Sequence, residues 1–285
     1  MEFHEPRRIS EALALLAGKD EAHLLAGGAS LIAMMNAHLV EPEQLVSLRY
    51  VEELSCIVSG GDGSVRIGAM TTHREIAEYS GFQGGQRVIA QAASRIGHPA
   101  IRAMGPIGGA VGLADPAADY PPALVAAGAR IEITGRDGER EVAADEYFKG
   151  YFETALERGD IITAVTLSPA LANSGASFVK FARVEGDYAT VSVAAMVAFE
   201  GEVCSQAAIS VGACGPVPTR VPDAERSLVG TRLDPAALRA AGDMIVQSCN
   251  PVDDVRGTAA YRRRIIPELV QRAVNDARSE IDGAT

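Results

Sequence analysis

The pattern of apolar and polar positions predicts an alternation of short strands and helices along the first half of the chain. Ser10 precedes Ala12, Leu13, Leu15 and Leu16, and Gly18 follows, which predicts a helix capped by the serine and closed by the glycine. His23-Leu24-Leu25-Ala26 reads as a short strand that runs into Gly27-Gly28, and from Ser30 the spacing of Leu31, Met34, Met35 and His38 is helical. Residues 44–48 return to strand character. Two β-like runs, 55–59 and 64–70, flank Gly60-Gly61-Asp62-Gly63 and predict a hairpin. Helices are predicted over 72–79 and 86–96. The stretch 97–122 is dominated by Gly, Ala and Pro and is too small in its side chains for an ordinary core segment. Residues 124–127 close a helix, 129–134 and 140–142 form a second hairpin around Asp137-Gly138, 147–156 read as a short helix, and 160–167 as a strand.

After Pro169 and the polar break Asn173-Ser174-Gly175 the texture changes. Three long β-like runs, 177–184, 190–200 and 203–212, predict a central antiparallel sheet, and two helices near 234–248 and 257–281 end the sequence. A domain boundary is expected near 170–176.

Composition narrows the function classes. At 285 residues, 47% hydrophobic and 22% charged, the chain can bury one large core or two to three smaller ones. Its net charge of −11 has the wrong sign for a nucleic-acid binder. The only dense basic run, Arg262-Arg263-Arg264, reads as the solvated face or end of a helix. No apolar run approaches the roughly 18 residues of a membrane span, and Met1-Glu2-Phe3-His4-Glu5-Pro6 lacks a signal-peptide pattern, so a cytoplasmic chain is expected. Cys56, Cys204, Cys214 and Cys249 are widely spaced and read as small buried residues, and the five histidines form no ligand pair; no metal is expected in this chain. No nucleophile set for proton-transfer catalysis is recognisable, and no catalytic residue is expected.

Two glycine-rich clusters carry the candidate chemistry. Ala26-Gly27-Gly28-Ala29-Ser30-Leu31 joins a strand to a helix, where small residues let main-chain N–H groups converge on an anion. Ser30 can cap that helix or donate its hydroxyl to a phosphate oxygen. A Gly-Gly turn between a strand and a helix also serves purely structural ends, so the cluster alone does not decide. The second cluster, Gly105-Pro106-Ile107-Gly108-Gly109-Ala110-Val111-Gly112, precedes Asp115-Pro116-Ala117-Ala118-Asp119-Tyr120-Pro121. Asp119 reads either as an acceptor for ribose hydroxyls or as a helix-initiating residue.

Taken together and in this order, the clusters resemble those of the flavoprotein subunits of the xanthine dehydrogenase and carbon monoxide dehydrogenase family. Those subunits carry A-G-G-x-S-L and, about eighty residues later, G-T-I-G-G-N/S followed by D-P-A-A-D-x-P. Thr71-Thr72-His73 matches the family's T-T-H, and Lys180, Arg183, Asp187, Ala189 and Val191 match its K-x-x-R and D-x-A-x-V positions. The likeness spans nearly the whole chain.

The resemblance implies an α+β fold: a two-subdomain FAD-binding domain of the vanillyl-alcohol-oxidase/PCMH-like type over 1–172 (subdomains about 1–54 and 55–172), then an α/β C-terminal domain with an antiparallel sheet over 173–285. It implies FAD extended between the two subdomains, its diphosphate held by Leu25, Ala26, Gly27, Gly28, Ala29, Ser30 and Leu31 and by Ile107, Gly108, Gly109 and Ala110. Asp119 becomes the ribose or phosphate carboxylate, Ile96 packs near the adenine, and Ile162 lies beside the isoalloxazine. Lys180 contacts the flavin, where a cation stabilises the anionic reduced ring and raises its potential; the bland alternative is a surface lysine on an edge strand. Tyr188 fits either a place against the isoalloxazine face or a half-buried strand position. Two departures stand out. Pro106 replaces the usual threonine and removes a hydroxyl and an N–H donor, and Ala110 replaces the usual Asn or Ser. Each lost charge-assisted bond to phosphate would be worth roughly 1.5–3 kcal/mol.

The function implied is electron relay in a heterotrimer with a large molybdopterin subunit and a small subunit carrying two [2Fe–2S] clusters, assembled as a dimer of heterotrimers. Electrons leave the FAD for an external acceptor. Two other readings stay open: a stand-alone flavin dehydrogenase or oxidase, which would need a catalytic base and a substrate domain, and a non-redox subunit that has lost FAD, motivated by Pro106 and Ala110.

Overall fold

A computed structural model describes residues 1–17 and 22–282. Three sheets organise the chain. In the first, β3 (Gln44–Ser47) lies between β1 (Glu2–His4) and β2 (Ala22–Leu25) and runs parallel to both. All four residues of β3 are buried, as a central parallel strand requires. Helix α1 (Ile9–Leu16) is the crossover, and its Ala12 and Leu16 join Val46, Leu48, Val51 and Leu54 in a small core. Its N-cap is Arg8 and not Ser10, which sits inside the first turn without a capping bond; Gly18, expected to close the helix, lies outside the described residues. Helix α2 (Leu31–Asn36) follows the Gly-Gly turn and buries none of its residues.

The second sheet is fully antiparallel in the order β4-β5-β10-β6-β7, from β4 (Ile57–Ser59), β5 (Val65–Gly68), β6 (Arg130–Gly135), β7 (Gly138–Ala143) and β10 (Ile161–Leu167). Both predicted hairpins are present, and the Val/Ile-rich β10 takes the middle. Helix α3 (His73–Glu78) starts with a capping box between Thr72 and Glu75, and α4 (Arg87–Arg95) buries Val88, Ile89, Ala92 and Ala93 on one face.

The small-residue stretch is not outside the core. It folds into α5 (Pro99–Met104), α6 (Ile107–Leu113) and the start of α7 (Tyr120–Ala126), whose seven residues are all buried. Gly212 is what lets α7 approach closely: Pro122 lies 2.8 Å from where a β-carbon on Gly212 would be. Residues 147–156 are also not a helix. Only α8 (Ala144–Tyr147) is helical, and a hairpin of β8 (Phe148–Gly150) and β9 (Glu153–Thr154) follows. The left-handed Phe152 (φ 57°) turns the chain between Gly150 and Glu153, which pair across the hairpin, and this local geometry overrides the apolar spacing.

The third sheet is the expected antiparallel one, in the order β11 (Ser174–Phe181), β12 (Val191–Glu200), β13 (Val203–Gly212) and β14 (Thr219–Arg220). Its strand begins inside the expected polar break, because Gly175 packs against the backbone of Ala277. One face presents Val191, Val193, Val197, Ile209 and Val211 to α9 (Pro222–Leu228), α10 (Pro235–Ser248) and α11 (Ala259–Asp282). The other face presents Ala176, Phe178 and Ala194 to the core of the second sheet.

Arg262 corrects another expectation. It is 3% exposed and bonded inward rather than solvated. Cys204, Cys214 and Cys249 are buried as expected, Cys56 only partly, and the sulfurs of Cys214 and Cys249 lie 3.3 Å apart. Among the described residues no helix is long and apolar enough to cross a membrane.

Candidate functional site

The two glycine-rich clusters, eighty residues apart in sequence, meet in space. A β-carbon on Gly27 would lie 2.5 Å from Met104 O, 2.6 Å from Pro106 Cδ and 2.9 Å from Gly105 Cα; one on Gly109 would lie 3.3 Å from Ala26 Cβ. The contacts at Gly27 admit only glycine, while at Gly109 a β-carbon would require Ala26 to give by a few tenths of an ångström. Leu25 ends β2, Ala26 to Ser30 form the turn, and Leu31 opens α2. Gly28 has φ 79°, which turns the strand into the helix.

The first cluster leaves its donors open. Among the described residues, no hydrogen bond uses the backbone N–H of Ala26, Gly27, Gly28, Ala29, Ser30 or Leu31. Ser30 occupies the N-cap of α2, yet its hydroxyl makes no capping bond. A run of unpaired N–H groups at a glycine turn is an anion cradle.

The second cluster behaves differently. Ile107 N donates to Thr71 O at 3.0 Å, Gly108 N to Ala69 O at 2.8 Å and Ala110 N to Pro106 O at 3.3 Å, and Pro106 has no N–H to offer. Of these positions, Gly109 alone keeps an untied donor among the described residues. A β-carbon on Gly108 would lie 2.7 Å from Ala69 O, so this glycine lets α6 seat on the edge of the sheet. Ile162, on β10, lies beneath α6 with its Cδ1 3.6 Å from the missing β-carbon of Gly112.

Asp119 and Lys180 form a second group. Lys180 Nζ donates to Asp119 Oδ2 at 2.7 Å and to Arg95 O at 2.9 Å, and both side chains of the ion pair are 6% exposed. The surface-lysine reading therefore fails, although β11 does lie at the edge of its sheet. Asp119 precedes α7 but does not cap it, so the helix-initiating reading fails for its side chain. Its Oδ1 is buried without a partner. Burial pushes the Asp119 carboxyl up to about 6, against the opposing pull of Lys180 and Arg95. Ile96 ends α4, half-buried, with its carbonyl taken by Arg102.

Sequence reasoning missed the groups that brace this site. His73 lies under Gly105: its backbone N–H donates to Gly105 O at 2.9 Å, and its ring Nε2 sits 2.7 Å from where a β-carbon on Gly105 would be. Its Nδ1 meets the Tyr120 hydroxyl at 3.2 Å. Burial, with Arg102 nearby, lowers His73 to about 4 and keeps it neutral, and burial raises Tyr120 well above its ordinary value. The T-T-H triplet was the available signal. Nothing in it indicated a partner at Tyr120.

An elongated ligand with an anionic centre and hydroxyls fits what is present: an open row of N–H donors, glycines at the closest approaches, and a buried carboxylate oxygen lacking a donor. A family model described as the FAD binding domain in molybdopterin dehydrogenase matches residues 1–170, and one described as the CO dehydrogenase flavoprotein C-terminal domain matches residues 176–277. The chain is 36% identical to the carbon monoxide dehydrogenase medium chain of Afipia carboxidovorans, covering 98% of this chain and 96% of that one. It superposes on a chain of the cyanide-inactivated Cu,Mo-CO dehydrogenase with a TM-score of 0.94 at 35% identity, covering 98% of each. For quinoline 2-oxidoreductase from Pseudomonas putida 86 the TM-score is 0.92 at 30% identity, over 100% of this chain and 98% of that one.

Fold and site together define an FAD-binding oxidoreductase subunit of α+β architecture. The chain belongs to the medium-subunit flavoproteins of the molybdenum hydroxylases, the xanthine dehydrogenase and carbon monoxide dehydrogenase family. As a medium subunit it works with a large and a small partner. The end-to-end match to medium chains favours neither the stand-alone oxidase nor the subunit without FAD.

Proposed function

We propose that residues 25–31 and 107–110 hold the diphosphate of FAD, that Asp119 Oδ1 accepts from a ribose hydroxyl, and that Ile96, Ile162 and Lys180 line the rest of the cofactor path. One observation carries this reading: two distant glycine-rich loops touch, and one of them presents a continuous row of N–H groups unpaired among the described residues. When bound, FAD supplies a two-electron store between the iron–sulfur clusters of the small subunit and an external acceptor. The chain's own work is then to bind and orient it. The open N–H row neutralises phosphate charge without moving, and the glycines exclude side chains and water from the contact. Lys180 holds its ammonium on Asp119, which keeps that carboxylate ionised near neutral pH against the cost of burial.

The same reading divides the chain into an FAD-binding domain over 1–172, with subdomains of about 1–54 and 55–172, and a C-terminal domain over 173–285. The cores around Leu54, around Tyr120 and around Val193 support that division, with Ile161 shared into the first and Ala176, Phe178 and Ala194 into the second. The assembly is a dimer of heterotrimers in the cytoplasm. The substrate belongs to the large subunit, because relatives of this chain serve enzymes named for carbon monoxide and for quinoline.

The test is the visible spectrum of the purified chain, with the flavin released on denaturation identified. Flavin bands and free FAD, both lost in Gly108→Val, support the assignment. A colourless chain that takes up no added FAD, alone or with its partner subunits, overturns it.

A further inference from the structure

Arg262 stands apart from the cofactor loops, yet it is tied to them through two turns. It projects from the first turn of α11, and its Nη1 donates to Thr190 O at 2.7 Å and to Ala213 O at 2.8 Å. Its Nη2 donates to the Asp254 carboxylate. Asp254 is itself fixed by the N–H groups of Arg256, at 2.8 Å, and Gly257, at 3.2 Å. The two carbonyls belong to separate turns, one entering β12 and one leaving β13. Each turn also reaches across to the FAD-binding half: Ala189 N donates to Ala117 O at 3.3 Å, and Ala213 N donates to Pro116 O at 3.0 Å. Ala117, Ala189 and Ala213 close over one another as a small buried cluster. Asp119 comes two residues after Ala117. On the other side, Thr190 N donates to Phe181 O at 2.8 Å, next to Lys180.

A buried guanidinium is unfavourable unless its arms are bonded: both Nη groups of Arg262 are, while its Nε is buried without a partner among the described residues, and an apolar side chain would pack α11 against the sheet as well. No apolar side chain bridges two carbonyls and a carboxylate on three separate segments, and a lysine offers one nitrogen where the guanidinium offers two, Nη1 to the carbonyls and Nη2 to Asp254. The feature that explains an arginine here is the alignment of both turns.

We propose that Arg262, anchored by Asp254, is a positioning residue for the cofactor site: it aligns the turns that grip residues 116–117 and so sets the Asp119 carboxylate against Lys180. This rests on Asp119 serving the cofactor. The geometric part is independent of that assignment.

The experiment compares the full-length wild-type chain with Arg262→Lys and Asp254→Asn, in two arms. Amide hydrogen exchange on the FAD-free chain reads the Ala189 and Ala213 N–H groups, and flavin fluorescence titration reads FAD affinity. In Arg262→Lys, protection at those two amides falls by about tenfold or more and FAD binds about tenfold more weakly, the loss expected for one or two charge-assisted bonds. The interior of β12 and β13 keeps its protection. Asp254→Asn moves both readouts the same way by less. Three results overturn the proposal: unchanged exchange at both amides, faster exchange there with unchanged FAD affinity, or a uniform loss of protection across the C-terminal sheet and helices. A wild-type chain that takes up no FAD, alone or with its partner subunits, sinks the cofactor assignment of Asp119, and the exchange arm still decides whether Arg262 sets the 116–117 segment.

Discussion

The two glycine-rich loops share a vocabulary and differ in physics. In residues 26–31 no backbone N–H is used among the described residues, and the helix that follows buries none of its own. In residues 105–110 the N–H groups of Ile107 and Gly108 are tied to carbonyls of Thr71 and Ala69, and Gly105, Pro106 and Ile107 are buried. The first loop is a donor cradle; the second is a wall. Glycine serves the first by leaving N–H groups uncovered, and the second by letting backbone touch backbone. Pro106 makes sense in this light. It forfeits a donor at a position where the neighbouring donors are already committed, and its ring fills the contact with Gly27.

The strongest way to break the comparison is to push the loops apart. Gly27→Val places atoms where Met104 O and Pro106 Cδ already lie, at 2.5 and 2.6 Å from the β-carbon alone. Overpacking of about 3 kcal/mol, directed at the junction, corresponds to at least about a hundredfold loss of FAD affinity. Flavin per chain after purification measures it. Full flavin content in that variant would mean the contact between loops is irrelevant to the cofactor.

Next in size is Ser30→Ala. Its hydroxyl makes no capping bond, so the apo protein should keep its Tm, whereas loss of a true N-cap costs about 1 kcal/mol. FAD affinity should fall about tenfold if that hydroxyl donates to phosphate. A lower Tm with unchanged affinity would make Ser30 structural.

Asp119 gives two pH trends of opposite sign. Its folded-state value is raised from 3.8 to about 6, so without FAD its contribution to stability is fully present below about pH 4 and is lost as pH rises through about 6. The Tm of the apo wild type, measured against Asp119→Asn, should therefore decline across that window. FAD binding should run the other way and weaken below pH 6, because a protonated Asp119 turns an acceptor oxygen into a competing donor. A flat FAD affinity from pH 5 to 7 would exclude Asp119 from the cofactor contacts.

Much of this fold was legible because its signals are local. The hairpins at 57–68 and 130–143 alternate with period two around turn glycines, and the A-G-G-x-S-L and I-G-G elements announce themselves by composition. What escaped depends on distant partners. Lys180 and Asp119 are 61 residues apart, and nothing local distinguishes a buried lysine on an edge strand from an exposed one. Arg262 reads as one of three arginines until Thr190 and Ala213 supply its carbonyls. Residues 147–156 carry helical spacing that the left-handed turn at Phe152 overrules. The sequence also treats both loops as anion binders, because composition cannot tell whether an N–H has already found an acceptor.

That last distinction yields the smallest and most discriminating expectation. Ala110→Ser restores the kind of polar side chain that the family carries after its second Gly-Gly. If both loops were equivalent cradles, the new hydroxyl would strengthen FAD binding by about tenfold, as one charge-assisted bond does. The wall reading expects less. Ala110 lies one turn into α6, its own N–H bonds to Pro106 O, and the neighbouring N–H groups of Ile107 and Gly108 are aimed into the protein. A hydroxyl there faces a surface that shapes the ligand more than it binds it, so affinity should change by less than about threefold, within 1 kcal/mol. Titrating FAD into this variant beside Ser30→Ala decides the matter: a tenfold gain at 110 would make the loops equals, and a flat response beside a tenfold loss at 30 would place the phosphate on the first loop's row of free N–H groups.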